Sequence, residues 1–288
     1  MTALPFVFVS DLHGRVECYR KLFSLVRHEN PRAVFLGGDL LPSGHLLFGN
    51  RAGQDDFWEG FLLPELRTLR TVLGEGYPSL FVILGNDDAR SHEAALGAAS
   101  SEGLWQYVHL RKAAIESYSV YGYSCVPPTP FTLKDWERYD VSHFVDPGSI
   151  PPEEGWFSVA VPQGESGSPT IQEDLEVLAG QDALTHAIFL FHSPPYRTCL
   201  DRAALDGCQV DNAPVDVHVG SVAIRRFIES RQPLITLHGH VHESARLSGS
   251  WQEKIGRTFC FSAAHDGPEL AVVCFDPQYP QGTVRYLL

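Results

Sequence analysis

Three imidazoles crowd into His238-Gly239-His240-Val241-His242, directly behind the apolar run Pro233 to Thr236. A β-branched run ending in glycine reads as a buried strand passing into a tight loop, which puts these rings at the C-terminal edge of a strand. In open α/β sheets that edge is where chemistry is presented. A neutral imidazole adds little to a surface, whereas one bound to a divalent cation needs neighbours of its own kind. The stretch alone is equally compatible with a loop whose polar groups are satisfied locally. Upstream residues decide between the two.

Four other apolar runs end in the same way. Phe6 to Ser10 stops at Asp11-Leu12-His13-Gly14, and Ala33 to Leu36 stops at Gly37-Gly38-Asp39. Ser79 to Leu84 gives way to Gly85-Asn86-Asp87-Asp88, and Ala187 to Phe191 to His192-Ser193-Pro194-Pro195. Taken singly, each polar residue here is most simply a turn former. Their joint occurrence reverses that reading, because seven donors would then meet at one edge: Asp11, His13, Asp39, Asn86, His192, His240 and His242. Mixed oxygen and nitrogen ligation suits manganese, iron, zinc or nickel. Seven side chains exceed the needs of one ion, so two metals are expected, with Asp39 on the central loop able to bridge them.

The elements that must position these donors follow from hydrophobic spacing. Val16 to His28 has a helical period with one apolar face, so strand, acidic loop, helix, strand and acidic loop form a βαβ unit with a right-handed crossover. A helix is expected from about Asp55 to Leu73, broken or restarted at Pro64. Strands are expected over Gln106 to Leu110 and Ile115 to Val126, and a helical turn over Lys134 to Tyr139. Residues 127–170, rich in proline, glycine and serine, read as an irregular elaboration lying over the surface near the site. A helix starting at Thr170 or Gln172 should run to Ala179, and Ser221 should cap a helix from Val222 to Ser230. Short β runs at Thr258 to Ser262, Leu270 to Phe275 and Thr283 to Leu287 close what reads as one α/β domain over residues 1–288.

Composition bounds the partners. The formal charge of -13 argues against a nucleic-acid backbone as the habitual ligand, since such binding relies on basic surface and released counterions. No apolar run approaches the roughly 20 residues needed to span a bilayer, so no membrane partner is expected. The N-terminus lacks a basic region of the signal-peptide kind, and the six cysteines include no C-x-x-C pair. Free thiols and a cytoplasmic location are therefore expected.

The order Asp11-Leu12-His13, Gly38-Asp39, Gly85-Asn86, His192, then Gly239-His240-Val241-His242 resembles the calcineurin-like metallophosphoesterase superfamily, in register over essentially the whole chain. Within it the pattern is most similar to the prokaryotic cyclic-nucleotide phosphodiesterase branch. The resemblance implies a four-layer α/β/β/α sandwich of two mixed sheets. It also implies a dinuclear site in which Asp11, His13 and His242 hold one metal, Asn86, His192 and His240 the other, and Asp39 bridges. The implied chemistry is hydrolysis of a small phosphoester by a metal-bridging hydroxide, without a protein nucleophile.

One position departs from the pattern. Many members follow the asparagine with a histidine that serves as general acid, whereas this chain has Asp87. An aspartate beside two cations stays ionised at neutral pH and is a poor donor to a leaving alkoxide. Its charge also repels a monoester more than a diester, which favours phosphodiesters or activated esters. His45 and His92, in nearby loops, are the alternative proton donors, and Arg197 is a candidate phosphate contact. A phosphomonoesterase or nucleotide phosphatase is the second reading. The third is a catalytically silent scaffold of the same fold, as in the similar retromer subunit.

Overall fold

The computed structural model describes residues 6–42, 57–160 and 169–288. His45 and the first residues of the helix expected from Asp55 lie outside them. Fourteen strands occur among the described residues: β1 (Phe6–Val9), β2 (Ala33–Gly37), β3 (Ser79–Ile83), β4 (Gln106–Tyr107), β5 (Arg111–Ile115), β6 (Tyr118–Tyr123), β7 (Ala187–Phe191), β8 (Gln209–Val210), β9 (Ala213–Pro214), β10 (Ile235–His238), β11 (Gln252–Ile255), β12 (Thr258–Ser262), β13 (Ala271–Phe275) and β14 (Val284–Leu287). The α-helices are α1 (Val16–Glu29), α2 (Leu63–Leu73), α3 (Glu93–Ser101), α4 (Ile171–Ala179), α5 (Val222–Arg231) and α6 (Ser244–Ser248).

Twelve strands form two six-stranded mixed sheets, ordered β14-β13-β1-β2-β3-β4 and β11-β12-β10-β7-β6-β5. In the first, β1 to β4 run parallel and β13 and β14 antiparallel. In the second, β6, β7, β10 and β12 run parallel between antiparallel edges β5 and β11. The parallel strands β1, β2 and β7 are buried along their whole length, which is why they read as unbroken apolar runs. Phe6, Phe8, Phe35 and Phe81 of the first sheet meet Ile188, Leu190, Ile235, Leu237 and Phe261 of the second in one core. The alternate positions, Val7, Val9, Val34 and Leu36, turn outward onto Tyr19, Leu22 and Val26 of α1. Phe189 and Phe191 do the same against Ile224, Phe227 and Ile228 of α5. The result is the four-layer α/β/β/α sandwich. Among the described residues no helix is long and apolar enough to cross a membrane.

Some elements differ from the sequence expectation, each for a local reason. The strand expected over Gln106 to Leu110 stops at Tyr107, because the chain must leave the first sheet and enter the second; Leu110 turns with φ +51°. The run from Ile115 to Val126 is not one strand. Ile115 ends β5, Glu116 turns at φ +52°, and β6 returns antiparallel as a hairpin. Lys134 to Tyr139 forms no helix; a turn at Asp135 and Trp136 stands in its place. Upstream of α2 the chain makes a π-helical turn, Trp58–Leu62, and Pro64 sits in the first turn of α2, where its missing N–H is not needed. The capping expectations agree with the structure. Thr170 and Glu173 form a reciprocal capping box on α4, and the Ser221 hydroxyl accepts from Ile224 N on α5.

Candidate metal centre

The parallel strands of both sheets release their chains at one mouth, and hydrogen bonds between the released loops fix the geometry there. The chain leaving β1 runs alongside the chain leaving β2: Asp11 N, His13 N and Gly14 N donate to the carbonyls of Gly38, Asp39 and Leu40 at 3.0, 2.8 and 2.9 Å. Across the mouth, Gly239 N donates to His192 O, and His240 N donates to Asp11 Oδ1 at 2.9 Å. Asp11, His13, Asp39 and His240 all adopt left-handed backbone, with φ from +45° to +73°. Such conformations cost non-glycine residues free energy and persist where the surroundings over-determine them, as functional sites do. Gly38, at φ +93°, is required twice over, since a Cβ there would lie 2.6 Å from His192 Nδ1.

The donors predicted from sequence converge in two overlapping groups. Ligand atoms of Asp11, His13, Asp39 and His242 all lie within 4.8 Å of one another. In that group His13 Nε2 is 3.1 Å from His242 Nε2 and 3.9 Å from Asp39 Oδ2, and His242 Nε2 is 3.4 Å from Asp11 Oδ1. In the second group, His192 Nε2 is 3.0 Å from Asn86 Oδ1 and 3.3 Å from Asp39 Oδ2. The His240 ring stands 5.2 Å from that of His192, centre to centre. Asp39 therefore belongs to both groups.

The electrostatics show a site made for positive charge. Burial alone would raise the Asp39 carboxyl, yet the charge and hydrogen bond of His192, with His13 and the backbone N–H of Asp87, hold it well below the usual carboxylate range. Asp11 is likewise held down against its burial by His242 and His192. The same contacts, opposing burial, raise His192 and His242 to about 9, so that protonated imidazoles balance the ionised carboxylates. His240 differs: burial and the His192 charge press it down to about 3, leaving a neutral imidazole ready to ligate.

Two further observations fit a metal pair. Asp11 Oδ2 is buried without a hydrogen-bond partner, a costly condition for a carboxylate oxygen unless a cation faces it. His192 turns its other nitrogen, Nδ1, onto Gly37 O at 2.8 Å, the backing contact by which metal-bound histidines fix their tautomer.

The remaining predicted residues are placed as follows. Asp87 lies at the rim, its Oδ2 3.5 Å from His13 Nδ1. His92 is half-buried in the short turn Arg90–His92 ahead of α3 and is not a member of the four-residue cluster. His45 lies outside the described residues. The Arg197 guanidinium lies over the Tyr196 ring, 5.3 Å from its centre. His238 is fully buried, with Nδ1 2.9 Å from Ser193 O and Nε2 2.7 Å from Thr236 Oγ1.

Sequence reasoning missed two supports. Asp88 takes the backbone N–H groups of Leu40, Leu41 and Gly85, tying the turn that carries Asn86 to the loop that carries Asp39. Burial and the Asp39 charge raise it to about 7 against those hydrogen bonds. Trp136, from the irregular segment, donates its indole N–H to Asp88 O at 2.8 Å. The acid directly after a ligand turn was a readable signal; the tryptophan, 48 residues away, was not.

Comparison with known proteins agrees with the fold. Among curated protein sequences none matches this chain. Among solved structures it is similar in fold to a Thermus thermophilus protein (16% identity, 99% of each chain covered, TM-score 0.55). A dimetal phosphatase from Danio rerio is similar at 13% identity, over 99% of this chain and 96% of that one, with a TM-score of 0.52. The Mycobacterium tuberculosis phosphopantetheinyl hydrolase aligns at 11% identity over 92% and 91%, with a TM-score of 0.50. The family model for calcineurin-like phosphoesterases matches residues 4–244, the stretch that holds every donor described above, and this chain belongs to that family.

Proposed function

We propose that this protein is a dinuclear, divalent-metal-dependent phosphodiesterase acting on a small substrate. The observation that carries the reading is the convergence of seven oxygen and nitrogen donors on one mouth, with Asp39 common to both groups. Asp11, His13 and His242 would hold one cation, Asn86, His192 and His240 the other, and Asp39 both. A bound pair of divalent cations lowers the pKa of water and neutralises charge on a phosphoryl group in flight.

The chain's own residues supply position. Gly37 O holds His192 in one tautomer, His240 N holds Asp11, and Asp87 N holds Asp39, so the donors need little rearrangement. Preference for a diester is supported by the Asp87 carboxylate, a third of whose side chain is exposed at the rim, since it repels a dianionic monoester more than a singly charged diester. Manganese is the proposed metal; iron, zinc and nickel suit the same donors. A cytoplasmic location is supported by six cysteines of which none is paired.

The test is turnover of bis-p-nitrophenyl phosphate against p-nitrophenyl phosphate in manganese. The expected result is a kcat/KM for the diester at least about tenfold higher, which corresponds to about 1.4 kcal/mol of transition-state discrimination. Both activities should vanish in Asp39→Asn. Reversed preference would favour the monoesterase, equal preference would overturn the diester assignment, and metal binding without turnover of either ester would favour the scaffold.

A further inference from the structure

Every imidazole that ligates a metal has a second nitrogen, and what that nitrogen faces sets the tautomer, the ring orientation and the basicity of the ligand. For His192 the partner is Gly37 O, supplied by the backbone. For His13 the two nitrogens are distributed in the same manner. Nε2 faces the cluster, 3.1 Å from His242 Nε2 and 3.9 Å from Asp39 Oδ2. Nδ1 faces outward, and the carboxylate of Asp87 stands 3.5 Å from it. A movement of about 0.5 Å closes that gap to hydrogen-bond length.

The backbone of Asp87 is held in place. Its backbone N–H donates to Asp39 Oδ1 at 2.8 Å, so the residue is fastened to the carboxylate shared by both groups. The next residue is fastened too, through the three backbone N–H groups that Asp88 accepts and its own N–H donated to Gly85 O at 3.1 Å. Asp87 is therefore carried on a rigid turn, between a ligand loop and a ligand ring.

We propose that Asp87 is the positioning residue of His13: its carboxylate accepts a hydrogen bond from Nδ1–H, which keeps the proton on Nδ1, leaves Nε2 as the ligating nitrogen and strengthens it as a donor to the cation that Asp11 and His242 would also hold. The position that in many relatives carries the proton donor is here devoted to the metal. The leaving group must then depart without a proton from this position, which directs the enzyme toward esters whose leaving groups are stable as anions. That last step rests on the phosphodiesterase reading; the metal-binding step does not.

The experiment is calorimetric titration of metal-stripped wild type, Asp87→Asn and Asp87→Ala with manganese, followed by turnover of a p-nitrophenyl and an alkyl phosphodiester. Wild type should bind two equivalents. Asp87→Ala should lose about 10- to 100-fold in affinity at one of the two sites and keep the other. Asp87→Asn, which can still accept from Nδ1 but lacks the charge, should fall between them. Turnover of both esters should drop by a similar factor at subsaturating metal and recover together when metal is raised.

Unchanged affinity at both sites, with a loss confined to the alkyl ester, would make Asp87 a proton donor and overturn the proposal. Equal weakening of both sites would overturn it as well, as general damage to the mouth. If Asp87→Ala does not fold, the Asp87→Asn titration decides, with a one-site loss expected and no loss overturning. A one-site loss in a protein that hydrolyses neither ester would uphold the positioning role while sinking the phosphodiesterase reading. Wild type that binds no metal would sink both.

Discussion

At the scale of the residue, the mouth is crowded enough that single atoms decide its competence. A Cβ placed on Gly239 would lie 2.8 Å from Asp11 Oδ2, the oxygen without a partner, and closer still to Ser10 Oγ. Gly239→Ala should therefore push Asp11 off its position while leaving the core intact. The expected cost is about 1–3 kcal/mol of stability from overpacking, with a loss of about tenfold or more in manganese affinity. Urea denaturation and metal titration of the variant check both numbers. That these seven residues would meet at one mouth was legible in the sequence, because each lies in a loop entered from an apolar run of strand character. What the letters do not carry is where a side chain turns. Asp87 directly follows Asn86 in the string, yet that its carboxylate lies 3.5 Å from His13 Nδ1 depends on a turn held by Asp39 Oδ1 and Asp88, which the letters do not show.

At the scale of the element, the segment over residues 127–160 has too few apolar residues for a core of its own and is held by buried polar bonds instead. Lys134 and Glu137 form an ion pair at 2.6 Å with both side chains fully buried, and Glu137 also takes the backbone N–H of Thr129. Asp135 receives Arg90 N, and Ser158 Oγ receives Ser91 N, so the segment grips the loop that follows Asn86. Breaking a buried pair from one side leaves an uncompensated charge, and Lys134→Met should cost about 3–5 kcal/mol near neutral pH. Burial already raises Glu137 to about 6 against the pull of Lys134. Without that lysine the carboxyl would rise further, and its folded pKa would exceed its unfolded one by more. The folded state then binds the proton more tightly, so the deficit of the variant should be small at pH 5 and should grow as pH rises through 6 and beyond. Urea titrations at pH 5 and pH 8 test this, and an equal deficit at both would refute it. The parallel strands and the helices α1, α4 and α5 were readable from periodicity and caps. The β5–β6 hairpin was not, because Glu116 supplies its left-handed residue and nothing in the letters marks a glutamate for that conformation. The Asp140 carboxylate that accepts from Val222 N and Ala223 N at the start of α5 is similarly invisible, since it acts from 82 and 83 residues away.

At the scale of the whole molecule, the interior fixes how stability depends on pH. His109 lies between the sheets' margins, accepts Ser124 N on Nδ1 and packs edge-on against Trp136 at 4.9 Å. Burial, with the charges of Arg138 and Arg90, presses it down to about 3. Its folded value thus lies below its unfolded value of about 6.5, so the unfolded chain takes up the proton first. The contribution is complete above about pH 6.5 and is lost as pH falls toward 3. At pH 5 the loss amounts to about 2 kcal/mol, taking about 1.4 kcal/mol for each pH unit. Other groups titrate in the same range, Asp88 in the opposite sense, so the measurement is the difference between wild type and His109→Phe. That difference should change with pH between 6.5 and 5 and stay flat above 7; a difference independent of pH would refute the assignment.

The two sheets contribute unequally to the mouth and at different places along the chain. Asp11, His13, Asp39 and Asn86 leave strands of the first sheet, while His192, His240 and His242 leave β7 and β10 of the second. A nascent polypeptide that has emerged only as far as Gln232 carries every oxygen donor and just two of the four imidazoles. During synthesis, then, the full set of seven donors would be available only after β10 and the loop that follows it have emerged. On the dinuclear reading, a cation held by the first sheet's donors alone would lack His192, His240 and His242 and would be held weakly enough to exchange.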